Sequence, residues 1–137
     1  MNSGSEERGA REAADSTVVR SYRDLNVWRL ALDVTETVYR LTSEWPSDER
    51  FGLISQARRA AVSISANIAE GWARRTTGEY LQFLGIARGS LAEVETLLIL
   101  SSRLSYTTPA TLRAVLTATE EINRMLAGLM ASLKARR

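Results

Sequence analysis

The feature that most constrains the fold of this chain is a run of ten residues without charge, AAVSISANIA, which extends from Ala60 to Ala69. At 100° per residue, one side of this helical pattern is an apolar stripe formed by Ile54, Ala57, Ala61, Ile64 and Ile68. The opposite side carries small or uncharged residues. A helix without a charged face is normally covered on all sides, and a small bundle cannot surround one of its own helices. We therefore predict that a second copy of the chain covers the remaining side.

Length and composition indicate one all-helical domain. A chain of 137 residues has room for one hydrophobic core, and 45% hydrophobic with 25% charged residues is typical of globular domains. Strand-type sequence is scarce. Residues 1–20 mix Gly, Ser, Glu and Arg without an apolar stripe, so we expect a disordered tail there and a folded domain over 21–137.

The residue types exclude most common enzyme designs. The chain has no cysteine and no histidine, which excludes disulfides, Cys/His zinc sites and histidine acid–base catalysis. The paired carboxylates Glu93/Glu95 and Glu120/Glu121 are two and one residues apart, so the members of a pair do not face each other on a helix. Solvation explains them, and a Glu-based site shared between subunits is the alternative. We expect no enzyme activity, no cofactor, no metal and no small-molecule substrate.

No apolar run of about 18 residues is present to span a bilayer, and the N-terminus lacks the apolar core of a signal peptide. The expected location is therefore the cytoplasm, without a membrane partner.

The apolar periodicity predicts four helices. The first begins near Tyr22 to Asp24, with Asp24 as its cap, and ends near Ser43. Pro46 interrupts the pattern. The second helix then runs from about Glu49 to a C-terminal cap at Gly71, and Ser47 or Asp48 is the candidate cap at its start.

The third and fourth helices have clearer start signals. Thr76 and Glu79 have the spacing of a capping box before a helix over about 77–104. Thr108 followed by Pro109 predicts the start of a helix that runs to about Lys134. Short connections between four long helices predict an antiparallel up-down-up-down bundle.

A second observation favours assembly of the chain with itself. Gly85 and Gly89 leave a flat strip on the third helix, and since glycine weakens a helix by roughly 0.5–1 kcal/mol relative to alanine, such a pair suggests that another backbone approaches closely. The candidate interface residues of the homo-oligomer are Val62, Ser63, Ala66, Asn67, Ala69, Glu70, Gly85 and Gly89.

Basic charge is concentrated locally. The net charge is only +2, and all 18 basic residues except Lys134 are arginine, the residue best suited to phosphate contacts. The candidate residues for nucleic-acid binding are Arg58, Arg59, Arg74, Arg75 and Arg88. Alternatively, these arginines pair with nearby carboxylates and serve assembly alone. The sequence contains no base-reading motif, no glycine-rich phosphate loop and no basic strip interleaved with aromatic residues.

Three segments carry a resemblance to a known family: YRDLNVWRLA, then WPSDERFGLISQARRAAVSISANIAEGWARRT, then EYLQFLGIARGSLAEVETLL. Together they resemble the four-helix-bundle family named after the intervening sequence of bacterial 23S ribosomal RNA, over Tyr22 to about Tyr106. Two departures from the family pattern are Ser65, where a proline is common, and Trp72-Ala73, in place of a Phe-Gly type pair.

The resemblance implies a ring of five identical bundles without catalytic residues. The sequence is also similar to the accessory protein of diversity-generating retroelements, which implies reverse transcriptase, RNA or DNA as partners. We therefore expect a non-catalytic ring that binds nucleic acid or a ribonucleoprotein. The alternative is a structural or protein-interaction oligomer that binds no nucleic acid.

Overall fold

The computed structural model describes residues 18–136, and this part of the chain contains four α-helices and no strand. They are α1 (Asn26–Thr42), α2 (Leu53–Trp72), α3 (Thr77–Arg103) and α4 (Pro109–Ala135), and short 3₁₀ turns at Tyr22–Asp24 and Ser47–Glu49 precede α1 and α2. The predicted all-helical class and number of helices are confirmed. Of the predicted tail, residues 1–17 lie outside the described residues, and residues 18–20 have no regular structure.

The helices form a four-helix bundle in which each packs against two others: α1 on α2, α2 on α3, α3 on α4, and α4 on α1. Cross-helix contacts show the antiparallel order. Along α2, Gly71 lies beside Tyr80, whereas the earlier residue Ser63 accepts a hydrogen bond from the later Ser90 at 2.8 Å. Chain direction therefore alternates from one helix to the next.

The core is built mainly from one apolar stripe on each helix. All five members of the α2 stripe, Ile54 to Ile68, are buried. In α3 the buried stripe is Leu84, Ala87, Leu91, Val94 and Leu98, and in α4 it is Val115, Thr119, Ile122, Leu126 and Leu133. Trp28 in α1 is half-buried and packs against this core. The period of the apolar residues therefore identifies the inward face of every helix.

The predicted starts of the first two helices are wrong in detail. Asp24 accepts hydrogen bonds from the backbone N–H groups of Arg20 and Ser21, so it belongs to the 3₁₀ turn and does not cap α1. Helix α2 begins at Leu53, four residues later than predicted. Neither Ser47 nor Asp48 caps it; the Glu49 carboxylate instead accepts the Leu53 N–H at 3.2 Å.

Gly71 is not a C-terminal cap, because α2 continues through it to Trp72. A Cβ atom at Gly71 would lie 2.9 Å from Tyr80 Cδ1 and 3.0 Å from Phe83 Cβ. Glycine is therefore needed here for the close approach of α2 to α3. The predicted caps of the other two helices are confirmed, since the hydroxyls of Thr76 and Thr108 accept backbone N–H groups of α3 and α4.

Candidate nucleic-acid interface and subunit surface

One end of the bundle collects basic side chains. Because the helices alternate in direction, the segment before α1, the α2–α3 turn and the last turn of α4 lie at the same end. We call this surface the basic end and define it by seven residues: Arg20, Arg23, Arg29, Arg74, Arg75, Lys134 and Arg136. It contains three carboxylates, those of Asp24, Glu70 and Glu79. The opposite end has four arginines and three carboxylates: Arg40, Arg50, Arg103 and Arg113, with Glu44, Asp48 and Glu49. The charge of the molecule is therefore polarised along the bundle axis.

Two of the predicted arginines lie at the basic end, and they differ in what they contact. The Arg74 guanidinium donates to Glu70 at 2.7 Å, and its Cζ lies 4.6 Å from the centre of the Phe83 ring. Arg75 is exposed and forms no ion pair with another described residue. A phosphate would therefore meet Arg75 directly, whereas at Arg74 it competes with a carboxylate.

The carboxylates of the basic end are also partly engaged. The N–H groups of Arg20 and Ser21 hold the Asp24 carboxylate, and the Arg20 hydrogen bond is the main reason that the pKa of Asp24 is lowered. Glu70 is paired with Arg74. These carboxylates therefore neutralise only part of the positive charge of the basic end. Most of that charge remains exposed to solvent.

The other three predicted arginines lie on the sides of the bundle. Arg58 is held within the chain: its Nε donates to Thr42 Oγ1 at 2.8 Å, and its Cζ lies 4.6 Å from the centre of the Tyr39 ring. Arg59 is exposed on α2, and Arg88 lines a cleft of about 410 Å³ between α3 and α4. The structure therefore brings together Arg74 and Arg75 and separates the remaining three candidates.

Sequence reasoning missed the other members of the basic end. The other five members, Arg20, Arg23, Arg29, Lys134 and Arg136, are far from Arg74 and Arg75 in sequence. They lie at the same end because the four helices alternate in direction. A signal was available, since a predicted up-down-up-down order places both chain ends beside the α2–α3 turn.

Aromatic side chains accompany this basic charge. The ring centre of Trp72 lies 6.4 Å from that of Tyr80, with an interplanar angle of 89°. Tyr22 packs edge-on against Trp28 and has the Arg23 guanidinium over its ring. The sequence showed no aromatic-interleaved basic strip, but the tertiary fold assembles aromatic and basic residues from separate segments.

Tyr80 has an unusual environment at this end. Burial raises the pKa of its phenol to about 12, and the Arg136 charge opposes the shift only in part. Its hydroxyl is buried and has no hydrogen-bond partner among the described residues. The ring packs against Gly71, so Tyr80 serves here as a packing residue under Trp72.

The predicted subunit surface on α2 is open in the single chain. Val62 is 44% exposed, Ala66 and Glu70 are exposed, and Ala69 is half-buried. A shallow groove of about 460 Å³ lies on this surface, and it is lined by Tyr22, Ala66, Ala69, Glu70, Ala73 and Arg74. The charge-free side of α2 therefore faces outward in the described part of the chain.

The polar members of that predicted surface are satisfied within the chain. Ser63 Oγ accepts hydrogen bonds from Asn67 Nδ2 at 2.9 Å and from Ser90 Oγ at 2.8 Å. These groups tie α2 to α3. They therefore do not require a second subunit to supply their hydrogen-bond partners.

The glycine strip on α3 is also open. A Cβ atom at Gly85 or Gly89 would meet nothing within 4 Å in the described residues. Both glycines line the α3–α4 cleft with Arg88 and Glu95, and Glu95 accepts the Thr119 hydroxyl at 2.7 Å. No close backbone approach inside residues 18–136 therefore accounts for the glycine pair.

The described residues meet the requirements of neither a metal site nor a membrane-spanning helix. No group of three or more Asp or Glu side chains among them is arranged to hold a metal ion. None of the helices in this part of the chain is both long and apolar enough to cross a membrane.

Comparison with known proteins agrees with this architecture. The family described as 23S rRNA-intervening sequence protein matches residues 23–128. A crystal structure from Bacteroides thetaiotaomicron VPI-5482, of a protein with unknown function from the S23 ribosomal protein family, is 25% identical in sequence and superposes with a TM-score of 0.71. The alignment covers 76% of this chain and 97% of that one. No curated protein matches the sequence significantly.

Proposed function

The chain belongs to the 23S rRNA-intervening sequence protein family, and on that premise we propose that it is a non-catalytic, homo-oligomeric scaffold that binds nucleic acid through its basic end. The observation that carries the proposal is the convergence of basic side chains from three separate segments on one end of the bundle. Phosphate contacts by arginine and lysine dominate the affinity of proteins for nucleic acid. The opposite end has four arginines and three carboxylates, so its excess of positive charge is smaller than that of the basic end.

The proposal concerns the nucleic-acid backbone and not its base sequence. Arginine forks bind phosphate oxygens with two parallel hydrogen bonds, and Arg75 has no competing ion pair among the described residues. In a ring, each protomer would add one basic end, so that weak contacts would sum to a useful, salt-sensitive affinity.

The test is a salt series with protein freed of bound nucleic acid. We expect RNA and DNA to bind, and we expect Arg74→Ala combined with Arg75→Ala to weaken binding similarly across sequences. The logarithmic salt slope on duplex DNA should fall by about 0.9 for each phosphate that the variant no longer neutralises. Both residues lie in a turn outside the core, so the bundle should remain folded.

The matched control removes two arginines from the opposite end. Arg40 and Arg113 are exposed and form no ion pair with a described residue. Their double alanine variant should bind as the unmodified protein does. Equal losses in both variants would mean that net charge, and not the basic end, determines binding; no binding by the clean unmodified protein at low salt would reject the proposal.

Assembly is the second part of the proposal. The exposed, charge-free side of α2 and the open glycine strip of α3 support a self-association surface, and the family resemblance suggests a pentameric ring. Ala66→Glu would place a charge on that surface, where an unpaired buried charge costs several kcal/mol. We expect light scattering to show an oligomer for the unmodified chain and a smaller species for Ala66→Glu.

Ala131→Glu is the control for this substitution, because Ala131 is an exposed alanine on the outer face of α4. It should leave the oligomer unchanged. A monomeric unmodified chain would show that the open side of α2 has no partner copy.

A structural oligomer without nucleic-acid binding is the second candidate function. The contacts of Arg58 with Thr42 and Tyr39, and of Arg74 with Glu70, favour it, because they assign two of the five predicted arginines to packing within the chain. A ribonucleoprotein partner such as a reverse transcriptase would favour the first candidate. Co-purification of a reverse transcriptase with the unmodified protein, and its loss from the Arg74/Arg75 variant, would support that partner.

A further inference from the structure

The three tryptophans of the chain have different surroundings. Trp45 is a buried member of the hydrophobic core, and Trp28 packs against that core. Trp72, the last residue of α2, is half-buried and belongs to neither group. Its aromatic neighbour Tyr80 stands perpendicular to it. Core packing therefore does not explain why a large aromatic ring occupies this position.

Trp72 lies among the positive charges of the basic end. Arg74 and Arg75 follow it within three residues. The last turn of α4, which carries Lys134 and Arg136, lies at the same end of the bundle. The Trp72 ring thus lies at the end of the bundle where basic side chains from two other segments, the α2–α3 turn and the last turn of α4, are located.

We propose that the basic end binds single-stranded in preference to duplex nucleic acid, with Trp72 as the surface on which an unpaired base stacks. The inference rests on the proposed function and names the form of nucleic acid that it concerns. Single-strand sites combine a basic surface for the backbone with aromatic side chains for the bases. In a duplex the bases are already stacked and paired, so a ring beside the backbone gains nothing unless the duplex is opened at a cost.

The chain offers a matched control at its opposite end. Phe51 is 89% exposed, and the Arg50 guanidinium lies 5.6 Å from the centre of its ring. It is therefore an exposed aromatic residue beside an arginine, and it lies outside the basic end. If any exposed aromatic sufficed, Phe51 would contribute equally.

The experiment measures affinity for one fluorescently labelled DNA of mixed sequence, as a single strand and as a duplex, at the same salt concentration. The unmodified protein should bind the single strand more tightly. Trp72→Leu should weaken single-strand binding about tenfold, the effect typical of losing one stacked base, and leave duplex binding unchanged. Phe51→Leu should change neither, and circular dichroism should show that both variants are folded.

A second measurement does not depend on the folding of the leucine variant. Oligothymidine should quench the tryptophan fluorescence of the unmodified protein, and Trp72→Phe should remove most of that quenching while retaining most of the affinity. Duplex binding as tight as single-strand binding, or quenching that survives in Trp72→Phe, would overturn the inference while leaving the proposed function intact. Failure to bind either form would overturn both.

Discussion

Gly71 shows how one residue determines the contact between two helices. The space that its missing side chain would fill is taken by Tyr80 and by the Cβ of Phe83. The Tyr80 carbonyl oxygen also lies only 3.2 Å from the ideal Cβ position. Two of these atoms are fixed to the α3 backbone, so the helix itself must move to admit a side chain.

We predict that Gly71→Ala destabilises the bundle. Alanine favours a helix over glycine by about 0.5–1 kcal/mol, but overpacking typically costs about 1–3 kcal/mol, so the net loss should be about 1 kcal/mol in urea unfolding. Gly128→Ala is the control, because a Cβ at this α4 position would meet nothing within 4 Å in the described chain. It should stabilise the protein, and an equal loss of stability in both variants would show that the contact of Gly71 with α3 is not the cause.

The buried hydroxyl of Tyr80 is expected to lower the stability of the bundle. This buried hydroxyl has no partner among the described residues, and such groups cost roughly 1–3 kcal/mol. Tyr80→Phe keeps the ring and removes the hydroxyl, so we expect the variant to be more stable by about 1 kcal/mol at neutral pH.

The difference should widen in alkali. Because burial raises the folded pKa from 10.0 to about 12, the unfolded chain ionises first, and stability is lost as pH rises from 10 through 12. Thermal unfolding midpoints measured at several pH values should fall less steeply for Tyr80→Phe. Parallel curves for the two proteins would show that Tyr80 ionises as freely in the folded state as in the unfolded one.

At the scale of the helices, the first residue of a helix is determined by the local sequence in some cases and by neighbouring structure in others. Thr76 and Thr108 cap their helices as expected, because each needs only the backbone of the following turn. The start of α2 depends instead on the 3₁₀ turn Ser47–Glu49 and the turn over residues 50–52, which together include the four residues, 49–52, that the sequence assigned to the helix. A cap can be read from local sequence, whereas a competing turn cannot.

The contribution of the Thr108 cap to the free energy of unfolding can be measured. The Thr108 hydroxyl accepts the Thr111 N–H at 3.2 Å, and replacing a threonine cap with alanine typically costs about 1 kcal/mol. Thr108→Ala should therefore lower the free energy of unfolding by about that amount. Thr117→Ala is the control: Thr117 is exposed inside α4 and bonds only to Arg113 O, so its loss should be neutral or slightly stabilising.

The same distinction separates the predictable part of the candidate site from the rest. The exposed turn position of Arg74 and Arg75 follows from the helix boundaries alone. The contact of Arg58 with Tyr39 does not follow from the helix boundaries, because it depends on the register of α1 against α2. The neighbour of Trp72 is likewise a residue of another helix, Tyr80 of α3, which periodicity within α2 cannot reveal.

At the scale of the whole molecule, the two ends of the bundle have different roles in the architecture. The basic end has charged and aromatic residues at its surface. The other end is closed by a buried polar contact: Trp45 Nε1 donates to Thr107 Oγ1 at 3.1 Å, and the hydroxyl oxygens of Ser101 and Thr107 lie 2.8 Å apart, within hydrogen-bond distance. Since residues 45 and 107 are 62 positions apart, this contact joins the α1–α2 connection to the α3–α4 connection.

Thr107→Val should show how much this closure contributes to the fold. Valine keeps the shape of threonine but removes the oxygen that Trp45 needs, and Ser101 retains only its bond to the Leu98 carbonyl. An indole N–H left buried without a partner costs roughly 1–3 kcal/mol. We therefore expect a loss of about 2 kcal/mol in urea unfolding.

In a Trp45→Phe background that N–H is absent, so the same substitution should cost clearly less, and the difference measures the coupling of the two residues. Equal costs in both backgrounds would show that the bundle end is held by apolar packing and not by this hydrogen bond.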